Sequence, residues 1–154
     1  PYTGILAIFS NLIRQGAKVN IFEDGQETRD FIYVEDVIDA TVDAITYEGH
    51  FSGPLNIGSG TSTSVLSVAE KIKEFFHSES ELEITGAYRL GDIRHNFADL
   101  KSAFEILAFQ PKTSFDDGLR TFLEWVSTFE YNDLGSYNRS LEELKISNNL
   151  FFNE

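Results

Sequence analysis

Cysteine and methionine are absent from this 154-residue chain, and proline occurs only three times. Without cysteine there is no disulfide framework, and nothing speaks for an oxidising compartment. Basic residues are scarce: 12 Lys and Arg stand against 25 Asp and Glu, for a formal net charge of -13. A field of that sign repels nucleic acid and anionic membrane, so neither is expected as a partner. No apolar run approaches the roughly 18 residues of a spanning helix, and no signal peptide or lipidation signal is found. A cytoplasmic location is the resulting expectation. With Pro1 first and no methionine anywhere, a fragment of a longer protein is also expected. What remains, 42% hydrophobic and 24% charged, is an ordinary globular composition able to bury a core in one domain.

Periodicity supplies the elements. "YTGILAIFSNLIRQG" places Ile5, Leu6, Ile8, Phe9, Leu12 and Ile13 on one helical face, with Gly16 as its C-cap. "KVNIF" reads as a strand, Asp24-Gly25 as a turn, and "RDFIYV" as a second strand with Arg29, Phe31 and Tyr33 on one face. "EDVIDATVDAI" reads as a helix whose buried stripe is Val37, Ile38, Thr41, Ala44 and Ile45, with Glu35 and Asp36 favoured by the dipole in the first turn. "GPLNIGSG" predicts a short strand running into a glycine-rich turn. Ser64 then caps a helix lined by Val65, Val68, Ala69, Ile72, Phe75 and Phe76.

Further on, "ELEIT" predicts a strand and "YRLGDIRHNF" an ordered loop. Asp99 and Ser114 are placed as caps of two more helices, the second with Phe115, Leu119, Phe122, Leu123 and Val126 inside. Beyond residue 129 the chain turns polar, with one marginal helix around "SLEELK". The division is therefore 1–129 as the folded region and 130–154 as a tail. Alternating strands and helices predict an α/β class, here an α+β-like fragment of short strands with several packed helices.

Three stretches carry candidate chemistry. Arg29, among Glu27, Asp30 and Glu35, is either one half of a surface ion pair or an anion clamp gripping phosphate through two parallel bonds. Arg89 and Arg94 flank Gly91-Asp92 in a stretch without amphipathic period, which reads as a solvated loop or as a pyrophosphate holder with an acid for a hydroxyl. "NIGSGTSTS" reads as a tight turn with a serine cap or as a phosphate cradle; it lacks the P-loop lysine and a full Gly-x-Gly-x-x-Gly. His50, His77 and His95 have no metal-ligand spacing, so no metal site is expected, and no Gly-x-Ser-x-Gly elbow is present.

Taken in order, "PYTGILAIFSNLIRQG", "FEDGQETRDFIYVEDVIDA", "LNIGSGTSTSVLSVAEKI", "YRLGDIRHNFADLKSA" and "FQPKTSFDDGLRTFLEW" resemble the carboxy-terminal, sugar-nucleotide-binding part of the extended short-chain dehydrogenase/reductase family. The resemblance is strongest to the nucleotide-sugar 4-epimerases, those acting on UDP-glucose or a dTDP-6-deoxyhexose. It implies that Arg29, Asn56 and Arg89 meet the nucleotide diphosphate and that Asp92 lies near the ribose. It also implies that Asn20 and Phe22 border the base. It implies NAD as the cofactor of the full-length enzyme and a UDP- or dTDP-sugar as its ligand. The family's Tyr-x-x-x-Lys pair and its Gly-x-x-Gly-x-x-Gly turn are not in this sequence, so no catalytic residue is assigned. The implied chain is a substrate-binding portion that lacks an amino-terminal Rossmann domain and most of the Rossmann sheet, and is inactive alone. Leu55–Gly58 would then be a bare strand edge, with local rearrangement or self-association expected. The resemblance leaves a 4,6-dehydratase or 4-keto reductase open, and the residues also leave a stand-alone nucleotide- or protein-binding module.

Overall fold

The computed structural model describes residues 4–130, 139, 142, 146 and 150–152. The opening Pro1–Thr3 lies outside the described residues, as does the expected "SLEELK" helix apart from Glu142. The class is mixed α/β. Among the described residues these elements follow in order: α1 (Ile5–Arg14), β1 (Val19–Ile21), β2 (Thr28–Arg29), α2 (Val34–Thr46), β3 (Thr63–Ser64), α3 (Val65–Phe75), β4 (Leu82–Ile84), β5 (Ala87–Arg89), α4 (Lys101–Leu107), α5 (Phe115–Ser127) and β6 (Leu150–Phe152). Strands among the described residues associate only in twos. The chain forms two compact units, one of residues 1–27, 64–94 and 123–154, the other of 28–63 and 95–122.

In the first unit α1 packs on α3 and beside β1. Phe9, Leu12 and Ile13 of α1, and Val68, Ala69 and Ile72 of α3, are buried as their helical spacing requires. β1 runs parallel to β4, pairing Val19 with Leu82 and Ile21 with Ile84. Full burial of Ile13, Ile21 and Ile72 contributes about 1.5–3 kcal/mol per side chain. Gly16 ends α1 at φ +65°, a conformation that glycine adopts without a Cβ penalty. Ser64 Oγ accepts the Ser67 N–H at 3.2 Å, the expected cap of α3. The "YRLGDIRHNF" loop begins differently from its reading: Ala87–Arg89 is strand β5, paired antiparallel with β6. Tyr88 and Phe151 stack at 5.4 Å. That pairing joins segments some sixty residues apart, beyond any local pattern.

In the second unit Ala40, Ala103 and Phe109 form the centre, with Ile32, Ile57, Leu100 and Leu107 packed around it. Two expectations are corrected here. Of "RDFIYV" only Arg29 lies in a strand, as the last residue of β2, and Leu55–Gly58 is in no strand.

The stripe of α2 is also corrected. Ile38, Val42 and Ile45 are 54%, 52% and 79% exposed, Thr41 is exposed, and the helix buries Asp36 and Ala40 instead. Asp36 is held inward because its two carboxylate oxygens accept the Lys112 and Thr113 N–H groups, each at 3.1 Å. Val34, Ile38, Val42 and Ile45 follow a helical spacing and make an aliphatic face open to water. Replacing Ile38 and Ile45 together by glutamate is expected to lower self-association of the chain in light scattering, with stability within about 0.5 kcal/mol of the parent. Unchanged association would show that this face is not the sticky one.

A candidate anion pocket built on Arg29 and Asp30

β2 carries Arg29, and the backbone around it is fixed. The Asn96 N–H donates to the Thr28 carbonyl at 3.2 Å, and Thr28 Oγ1 bonds His95 Nδ1 at 3.1 Å. Arg29 is half-buried, and its Nη1 donates to the Thr28 carbonyl at 2.9 Å. A guanidinium tethered to its own strand loses less side-chain freedom when it binds an anion.

Asp30 organises the opposite wall. Its carboxylate accepts the N–H groups of Ser59 at 2.7 Å, Gly60 at 3.1 Å and Ala98 at 3.0 Å, so one side chain ties two loops together. Burial by itself would raise its pKa, but the bonds from Ser59, Ala98 and Gly60 outweigh it and hold the carboxyl below its ordinary value. These bonds also decide between the two readings of "NIGSG". Its Ser59 and Gly60 amides donate to a carboxylate, so the loop is a carboxylate-capped turn, not an open phosphate cradle. Gly58 lies where the loop meets Asp30: a Cβ there would stand 2.5 Å from the Ala98 Cβ and 2.6 Å from Asp30 Oδ2.

Between these walls is a cavity of about 450 Å³ whose lining includes Arg29, Asn56, Gly58, Asn96 and Phe97. That volume is within the range of small-ligand sites. Asn56 Nδ2 reaches the Asp99 carbonyl only at 3.5 Å, a weak bond that costs little to exchange for a ligand oxygen. One guanidinium and two amide side chains give a donor-rich pocket suited to an anion. Asn96 was not singled out from the sequence; its place in "RHNF" next to the arginine-bearing stretch is the signal that was available.

The other expected residues belong to the first unit. Arg89 is half-buried with its guanidinium 5.4 Å from the Phe22 ring centre, a cation–π arrangement. Asn20 is the middle residue of β1, opposite Glu83. Asp92 is exposed, and its N–H donates to the Arg89 carbonyl at 3.2 Å. Arg94 has a defined position too: it bonds Glu23 at 2.5 Å and Asp24 at 2.6 Å. The structure thus joins Arg29 with Asn56 in one cavity, and Arg89 with Phe22 in one contact.

Comparison with known proteins now adds to the geometry. The profile of the NAD dependent epimerase/dehydratase family matches residues 2–58. The chain is 36% identical over 126 residues to a dTDP-L-rhamnose 4-epimerase of Burkholderia thailandensis, covering 82% of this chain and 34% of that protein. It is 34% identical over 128 residues to a UDP-glucose 4-epimerase of Mycolicibacterium smegmatis, covering 79% of this chain and 38% of that protein. The solved UDP-glucose 4-epimerase of Thermotoga maritima with UDP-glucose superposes with a TM-score of 0.75 at 33% identity, over 83% of this chain and 40% of that one. In sequence and fold the chain fits the extended short-chain dehydrogenase/reductase family. It spans between a third and a half of the length of these relatives.

Proposed function

We propose that this chain is the substrate-binding portion of an NAD-dependent nucleotide-sugar 4-epimerase, gripping the diphosphate of a UDP- or dTDP-sugar. The observation that carries the reading is the Arg29–Asn56 cavity, braced by Asp30. Arg29 acts as the charge clamp and Asn56 as a neutral donor beside it. Binding energy collected at a diphosphate, remote from the reacting sugar carbon, fixes where that carbon sits. By the family resemblance Arg89 is a further diphosphate contact, Asp92 lies near the ribose, and Asn20 and Phe22 border the base. Relatives acting on UDP-glucose and on dTDP-L-rhamnose both suit a clamp that reads the phosphates in common. The same clamp would serve a 4,6-dehydratase or a 4-keto reductase.

NAD, the cofactor of this family, would take part as hydride acceptor and donor at the sugar. The described residues do not fit it: strands pair only in twos, and the 58–60 turn uses its amides on Asp30. No step is therefore assigned to NAD on this chain. The part holding it, an amino-terminal Rossmann domain in this proposal, is a natural cover for the aliphatic face of α2. Titrating the chain with UDP tests the reading: saturable binding that needs the diphosphate supports it, and equal binding of uridine contradicts it.

A further inference from the structure

We infer that the turn carrying Glu23, Asp24 and Glu27 is a binding site for a hard divalent cation of the calcium type. One ligand oxygen from each of these carboxylates lies within 4.8 Å of the others. Two oxygens on opposite sides of a calcium ion, bonded at about 2.3–2.6 Å each, stand about 4.6–5.2 Å apart, so the trio spans what one ion spans. Acidic side chains commonly gather at surfaces without purpose, but Glu27 is not at the surface. It is 5% exposed, and neither of its carboxylate oxygens has a hydrogen-bond partner among the described residues. A buried, unsatisfied carboxylate is costly unless something charged faces it. Burial foremost pushes the Glu27 carboxyl up; its own backbone N–H and the Arg94 charge pull it down, the adjoining Glu23 and Asp24 carboxylates push it up, and the net direction is upward.

The charges leave room for such an ion. Arg94 bonds Glu23 and Asp24 and neutralises one of the three carboxylates. The two negative charges left over match one divalent cation, with Glu27 supplying the buried ligand and water completing the shell. The turn is also rigid enough to hold a geometry. The Glu23 N–H donates to the Ala87 carbonyl at 2.8 Å, and the Glu23 carbonyl accepts from Gly86 at 3.2 Å. The carbonyls of Gly25 and Glu27 accept from Leu66 and Val65 at 3.0 and 2.9 Å. Glu23 itself sits at φ +46°, an unusual backbone for a glutamate, and this turns its side chain's mount away from a plain strand continuation.

The test follows thermal unfolding of the full chain while calcium chloride is titrated against potassium chloride at equal ionic strength. A saturable rise in Tm is expected for the parent. Glu27→Gln keeps the size of the side chain and removes its charge, and should weaken the calcium response at least about tenfold. Asp24→Asn, on an exposed side chain whose loss does not threaten folding, should weaken it as well. Absence of a calcium-specific rise in the parent overturns the inference. So does an undiminished rise in either variant. The outcome is independent of nucleotide binding, so this inference and the proposed function stand or fall separately.

Discussion

Asp30→Ala is expected to cost about 3 kcal/mol of stability, read as a lower urea midpoint at constant slope, because three backbone N–H groups lose their charged acceptor at once. The loss falls on two loops together, 58–60 and 95–98, so the cavity they wall should collapse with it. Asp30→Asn keeps one acceptor oxygen and should cost less. A pH dependence follows with a definite sign. The folded Asp30 pKa lies below its ordinary value of 3.8, so the unfolded chain takes up this proton first as pH falls. Its contribution is complete above the ordinary value and is lost as pH falls through the depressed folded value. Acid unfolding of the parent should therefore show a component below about pH 4 that Asp30→Asn lacks. Identical acid profiles would mean that Asp30 is not the brace described.

Arg29→Ala should weaken UDP binding by about 10- to 100-fold, the cost of a charge-assisted bond to phosphate. The fold should tolerate the change, since the Thr28 carbonyl and hydroxyl of β2 keep their bonds to Asn96 and His95. Arg29→Lys keeps the charge but not the planar fork, and should recover only part of the affinity. Uridine, which lacks phosphates, should bind the parent and Arg29→Ala alike. An affinity for UDP that survives Arg29→Ala would remove the arginine from the clamp.

The parts legible in the sequence are those governed by local period and local caps. The faces of α1 and α3, the β1 and β4 strands, Gly16, Ser64 and the Ser114 cap, whose Oγ accepts the Asp117 N–H at 3.1 Å, all depend on residues a few positions apart. What escaped depends on distant partners. Asp30 reads as a possible ion-pair partner of Arg29 and Asp36 as a first-turn acid favoured by the helix dipole, yet each accepts amides from segments far along the chain. The stripe of α2 was read as core because apolar period reports what a helix can bury, not what is present to cover it. β5 was missed because its partner is β6, in a tail with no signal of its own. Within the candidate site, Arg29 stood out as a cation in an acidic run. Asn96 and Gly58 gain meaning only from the cavity they line.

The central claim is that the Arg29–Asn56 cavity receives a nucleotide diphosphate. The most direct measurement is a UDP titration of the nitrogen-15-labelled chain followed by amide and side-chain NMR shifts. The account predicts saturable shifts concentrated at Arg29, Asn56, Gly58 and residues 96–98, absent with uridine and reduced in Arg29→Ala. Shifts that miss these residues, or that uridine reproduces, would contradict it.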